Sequence, residues 1–206
     1  SDLQGFLEDT RQAADIITRN LSRAGALVTS FKQVAVDQTS SNRRKFSLAS
    51  LVSEILLTLS PTLRKSACAV SVDVADSLHM DSYPGPLGQV LTNLINNALV
   101  HGFPENQAGT IAITAGMEDA HCVVLQVQDD GRGIQNADLP HVFEPFFTTR
   151  MGQGGSGLGL HIVHNLVTSV LGGTIVAQSE PGRGAKFRLT IPCTVADRQD
   201  NQPIAN

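Results

Sequence analysis

The sequence predicts an α+β chain: one long helix, then a domain in which helices and strands alternate. Three observations carry that prediction. Residues 3–36 contain no Pro and place apolar residues at steps of three and four. From Phe46 onward, helical periodicity and strand alternation take turns. Polar and glycine-rich clusters punctuate these elements at four places. Composition allows the fold, because 41% of the 206 residues are apolar and only 17% are charged, enough to bury a core.

The first helix has a seam. One heptad series reads Leu7, Ala14, Leu21, Val28, Ala35, and the other Leu3, Thr10, Ile17, Ala24, Phe31. Only Thr10 interrupts it. A stripe this narrow asks for another helix as partner, either within the chain's own domain or in a hairpin or dimer bundle. Residues 37–44, DQTSSNRR, are polar and read as a linker. Ser47 is placed to cap a helix running to about Lys65, with Leu48, Leu51, Val52, Ile55, Leu56 and Leu59 inward. Pro61 is expected to end or kink it. Residues 69–74 alternate as a strand.

A helix over about 86–101 follows, with Leu87, Val90, Leu91, Leu94, Ile95 and Ala98 on its core side. Gln89, Asn93, Asn97 and His101 recur every four residues along one flank. Asn is a poor interior helix residue, since its amide competes for backbone partners. Two in register suggest a task, and an amide oxygen is a suitable hard ligand for Mg²⁺. A solvated flank is the alternative. Strand-like runs at 110–115 and 122–128 lead into DDGRGI, Asp129 to Ile134. A carboxylate at a strand end, followed by Gly131 and Gly133, suits a flat ring bearing an amine, because glycines let the backbone approach closely. An ordinary Asp-Gly turn reads the same way.

FEPFFTTR, Phe143 to Arg150, gathers three of the eight phenylalanines. It is either a core plug or the anchor of a loop whose Arg150 reaches a phosphate. Glycines at 152, 154, 155, 157 and 159 then enter an amphipathic helix through Leu160, Ile162, Val163, Leu166, Val167 and Val170. Amides at a helix start bind anions, and glycines admit phosphate oxygens. Gly152, Gly154 and Gly157 spell GxGxxG, but no buried strand precedes them, so a dinucleotide fingerprint is rejected. No Lys follows, which rejects a Walker A loop. His161 and His164 lack a third ligand, which favours a structural role over a metal site. Gly172–Gly173 ends the helix, and strands at 174–178 and 186–191 flank the turn EPGRG.

In this order and spacing, NLINNA, DDGRG, FEPFF, GSGLGL and a final GG before a strand resemble the conserved boxes of bacterial sensor histidine kinases, over about residues 46–192. The resemblance implies a two-layer α/β sandwich with a mixed sheet, the Bergerat ATP-binding fold shared with Hsp90, MutL and type II topoisomerases. It implies ATP and Mg²⁺ as cofactors. Asn97 would be the Mg²⁺ ligand and Asn93 the catalytic residue beside the phosphates. Asp129 would accept from the adenine amine, with Gly131, Gly133 and Ile134 beside the base and His101 near the nucleotide. Arg150 with Gly155, Ser156, Gly157, Leu158, Gly159 and Leu160 would form the lid and phosphate cradle. Val100 stands where the family often has Lys, and Ala185 where Thr is common.

The same resemblance divides the chain into 1–38, the second helix of a dimerisation domain; 39–45, a linker; 46–195, the ATP-binding catalytic domain; and 196–206, a tail. The family's phosphoacceptor His is followed by an acid. None of the histidines at 79, 101, 121, 141, 161 and 164 is. The acceptor helix is therefore expected before residue 1, in a longer protein, and this chain is expected to bind ATP without phosphorylating itself. The implied partners are a response-regulator receiver domain and a second copy through the helical bundle. A clamp ATPase of the Hsp90 or MutL type would need Glu at position 93, and the alternative to a kinase is a degenerate nucleotide-binding or regulatory dimerisation module without kinase activity. A formal charge of −4 argues against nucleic acid. Cys68, Cys122 and Cys193 form no CxxC pair and read as free thiols. No apolar run approaches the length of a membrane span, and a cytoplasmic location is expected, with anchoring of the parent left open.

Overall fold

The computed structural model describes residues 5–14, 16–18, 20, 25, 42–103, 107–149 and 157–195. Residues 5–14 are helical, and Leu7 and Ile17 of the predicted seam are 58% exposed each. Leu3, Leu21, Ala24, Val28, Phe31 and Ala35 lie outside the described residues.

The domain that follows runs β1 (Arg44–Ser47), α1 (Leu48–Leu63), β2 (Cys68–Val74), β3 (His79–Ser82), α2 (Pro84–Asn97), β4 (Gly109–Met117), β5 (Cys122–Asp129), α3 (Gly159–Asn165), β6 (Thr174–Ser179) and β7 (Ala185–Pro192). Five strands form one sheet in the order β2-β4-β5-β7-β6, with β2 parallel to β4 and every other pair antiparallel. The register aligns Ile113 with Val127, Val127 with Phe187, and Leu125 with Leu189. Those residues all face the helices and are buried. The alternate residues Gln126, Gln128, Lys186, Arg188 and Gln178 occupy the other face, and none is buried. Period-two patterning thus makes a sheet with one covered face.

Helices α1, α2 and α3 form the second layer. Leu87, Leu91, Leu94 and Ile95 of α2 are fully buried between sheet and neighbouring helices. The two-layer α/β sandwich is the predicted fold class. Ser47 caps α1 as expected, accepting from the Ser50 amide at 3.4 Å.

Four details differ from the sequence reading. Pro61 neither ends nor breaks α1, which continues to Leu63. The carbonyl that Pro61 leaves without an amide is that of Leu57, whose side chain is 73% exposed, so water can serve it. Two short strands went unpredicted. Arg44 and Lys45, read as linker, belong to β1, which pairs antiparallel with β3. Both are too short for alternation to register, and their pairing is reinforced by a fork from Arg43 Nε and Nη2 to Asp81 at 2.9 and 3.1 Å. Helix α2 starts at Pro84, where a missing amide costs nothing. Finally, α2 and α3 each continue into a π-helical turn, Ala98–Gly102 and Leu166–Val170.

Candidate functional site

Asp129 ends β5, and alternation along that strand turns its side chain to the helix side, where it is 4% exposed. Its Oδ1 accepts from the Gly131 amide at 3.0 Å and the Ala185 amide at 3.3 Å. Burial pushes its carboxyl above the ordinary carboxylate range, and the two amides pull part of the way back. Both bonds use Oδ1 and neither uses Oδ2.

The DDGRGI segment wraps this carboxylate. A Cβ on Gly131 would lie 2.4 Å from the Gly102 carbonyl oxygen, so only glycine fits there. Gly133 has φ +70°, and a Cβ there would lie 2.1 Å from the Glu180 carbonyl oxygen. The segment is tied outward as well. Arg132 donates its amide to the Gly102 carbonyl at 2.8 Å, and the Gly182 amide donates to the Arg132 carbonyl at 2.7 Å.

A cavity of about 490 Å³ opens over Asp129, within the size range of small-molecule sites. Asn93, Asn97 and His101 line it from the α2 side, and Gly133 and Ile134 from the DDGRGI segment. Gly157, Gly159 and Leu160 line it as well. A Cβ on Gly159 would come within 3.9 Å of Asn93 Oδ1, so the glycine run closes on the asparagines. These predicted residues converge on one cavity. Gly131 supports it from beneath, and Leu158 is buried in the core. Arg150, Gly155 and Ser156 lie outside the described residues.

Gln89 does not line the cavity. A four-residue step advances an α-helix by 400°, so the ladder drifts and its first member turns away. Its Oε1 is buried without a hydrogen-bond partner among the described residues. His101 and Gly102 sit on the π turn, whose extra residue resets the face just before the cavity.

The sequence reading missed Asn96, Arg132, Gln135, Asp138, Val142, Thr148 and Thr149, which also line the cavity. Asn96 stood in plain view in NLINNA. The others belong to loops, where no periodicity tells inward from outward. FEPFF proves to be both plug and wall. Phe143 packs edge-on against Phe187 at 6.4 Å, while Phe147 lines the cavity. Phe146 between them adopts φ +67°, and Gly157 approaches it so closely that a Cβ would lie 2.5 Å from its carbonyl carbon.

His161 donates from Nδ1 to the Phe143 carbonyl at 3.0 Å, and Asn165 sits 3.1 Å from its Nε2. The His164 ring packs at a tilt against Phe143, with centroids 5.5 Å apart. Both histidines brace the phenylalanine segment, as a structural role requires. No group of three or more His, Cys, Asp or Glu side chains could hold a metal among the described residues.

The sequence model of the histidine kinase-, DNA gyrase B-, and HSP90-like ATPases matches residues 83–195. The chain belongs to this family. The match begins at α2 and ends beyond β7, so it contains the whole cavity. Sensor histidine kinase ZraS of Escherichia coli (strain K12) is 31% identical over 195 residues, which are 94% of this chain and 40% of that protein. The chain spans between 32% and 40% of the first curated relatives it matches. The catalytic domain of histidine kinase ThkA superposes with a TM-score of 0.65 at 29% identity, over 74% of this chain and 97% of that one. Full-length ShkA in complex with AMPPNP gives a TM-score of 0.58 at 25% identity, over 77% of this chain and 33% of that one. The ATPase-family region here is thus the catalytic domain of the sensor histidine kinase type. No helix among the described residues is long and apolar enough to cross a membrane.

Proposed function

We propose that this chain binds ATP with Mg²⁺ in the cavity over Asp129 and serves a sensor kinase that passes the γ-phosphoryl group to a histidine outside this chain. The observation that carries the reading is Asp129 itself. A carboxylate held at 4% exposure with one oxygen engaged by two amides leaves the other to accept from an exocyclic amine. Gly133 and Ile134 then flank the base.

Asn93, Asn97 and His101 line the cavity together with Gly157 and Gly159, and Asn93 is the one the glycine run approaches; the phosphates belong between them in this reading. Amide oxygens are hard donors, and Mg²⁺ takes few protein ligands when phosphates supply the rest. The donor set fits: Asn97 would hold the ion, which neutralises phosphate charge when bound. Asn93 would orient the phosphates as the catalytic residue. Arg150, Gly155, Ser156, Gly157, Leu158, Gly159 and Leu160 would close over them. What this chain contributes is positioning and electrostatics. Position 93 is Asn rather than a Glu able to activate water, which favours a kinase over a clamp ATPase.

Residues 1–38 would supply one helix of a dimerisation bundle, a linker would run from 39 to the start of β1 at Arg44, and the catalytic domain would extend from β1 to 195, with 196–206 a tail. The exposed Leu7 and Ile17 suit such a bundle. The partners would be a second copy and a response-regulator receiver domain, in the cytoplasm.

Calorimetric titration with ATP, with and without Mg²⁺, tests the reading. Saturable binding strengthened by Mg²⁺ is expected. A folded chain that binds no ATP would overturn it. With γ-labelled ATP, the chain alone should acquire no label, and a labelled chain would refute the placement of the acceptor elsewhere.

A further inference from the structure

We infer that Ser179 is a positioning residue for base recognition, holding the two halves of the base pocket together from outside it. The inference rests on the nucleotide reading above. Ser179 ends β6 and does not line the cavity. Its Oγ accepts from the Ile134 amide at 2.8 Å and donates to the Gly184 carbonyl at 2.6 Å. The first bond fixes the loop that flanks the base. The second fixes the residue before Ala185, whose amide donates to Asp129 Oδ1.

One hydroxyl therefore joins the base loop to the carboxylate. The register explains how. Ser179 pairs with Ala185 as the last pair of the β6–β7 hairpin. Gly184 lies just beyond with φ +75°, and a Cβ there would fall 1.9 Å from the Asp129 carbonyl oxygen. The hairpin turn is pressed against the Asp129 backbone, and Gly133 against Glu180, with no room between. The hydroxyl both donates and accepts, which neither Ala nor Val can do. Ser179 touches no reacting atom, and it acts through Ile134 and Ala185.

Removing it leaves the Ile134 amide and the Gly184 carbonyl short of a partner and lets the loop drift from the base. The readout is the ratio of affinities for ATP and inosine triphosphate. The latter carries the same ribose and phosphates but has no exocyclic amine to give Asp129. Ser179→Ala should weaken ATP about tenfold, the equivalent of about one buried hydrogen bond. Inosine triphosphate should change far less, so the ratio collapses. Ser179→Thr keeps the hydroxyl and should restore it. A general loss of stability would weaken both nucleotides alike.

An unchanged ratio in Ser179→Ala, or a Thr variant no better than Ala, overturns the inference while leaving ATP binding by the unmodified chain intact. If the unmodified chain binds no ATP, the nucleotide reading fails first. Should the Ala variant not fold, amide exchange in the unmodified chain decides: the Ile134 amide should be protected, and exchange at the rate of an open loop overturns the role.

Discussion

Replacing Asp129 by Asn keeps the side chain's shape and removes its charge. Oδ1 of the new amide still accepts from Gly131 and Ala185, so no buried amide loses its partner. What disappears is a charge held at 4% exposure. Because burial raises its folded pKa above the unfolded value, the contribution of Asp129 to stability is fully present only below the unfolded pKa and is lost as pH rises through the folded one. Once ionised, the group is therefore a burden on the empty domain. Asp129→Asn should melt at the same temperature or higher. Nucleotide binding should move the opposite way. The amide nitrogen presents a donor to the donor amine of the base, which forfeits a charge-assisted bond of about 1.5–3 kcal/mol. At about 1.4 kcal/mol per decade, ATP should bind some 10- to 100-fold more weakly. Acidification should weaken ATP binding to the unmodified chain as Asp129 protonates, from above the ordinary carboxylate range, and leave the Asn variant's residual binding flat. Calorimetry and thermal melting read both quantities. An affinity within about threefold of the unmodified chain, or a melting temperature lower by about 4 °C or more, would refute the reasoning.

Gly133→Ala pays for a left-handed φ, about 1–2 kcal/mol, and drives a methyl against the Glu180 carbonyl. ATP affinity should fall by about tenfold or more, and binding at the original strength would show that the loop does not set the pocket. Asn97→Ala should leave metal-free ATP binding nearly unchanged and abolish the Mg²⁺ enhancement in a paired titration. An enhancement that survives moves the ion to other ligands. Arg43 holds the Asp81 carboxyl below its usual range by hydrogen bonding. Its stabilisation is present above the unfolded pKa and lost as pH falls through the depressed folded one. Arg43→Ala should lower stability at neutral pH and lose less of it on acidification past about pH 4, as followed by circular dichroism. Parallel acid titrations for the two proteins would contradict the pairing.

The five strands of the main sheet were legible to within two residues because each alternates over six positions or more. Asn93, Asn97 and Asp129 were legible because polar groups in apolar company are conspicuous. The reason for Gly133 was not. Its clash partner, Glu180, belongs to a distant hairpin, and only tertiary contact brings the two together. Ser179 was hidden for the same reason, as its hydroxyl bonds residues that no local pattern links to it. The π turns were invisible because one extra residue in a helical turn leaves no compositional trace. The short pair β1 and β3 escaped because four residues are too few to show a period.

The pairing around β3 has an architectural consequence. The chain enters the domain through β1 on one side of β3 and leaves beside it on the other, where the Val195 amide donates to the Asp81 carbonyl and Thr194 bridges Asp81 in parallel. Entry and exit are thus two strand spacings apart, about 10 Å. A domain with neighbouring ends can be appended to, or spliced within, a longer polypeptide without distorting its sheet. Because β1 runs antiparallel to β3 and residues 193–195 run parallel to it, both ends leave at the Ser82 end, and a pull between them peels these strands apart one pair at a time, at the opposite end of β5 from Asp129.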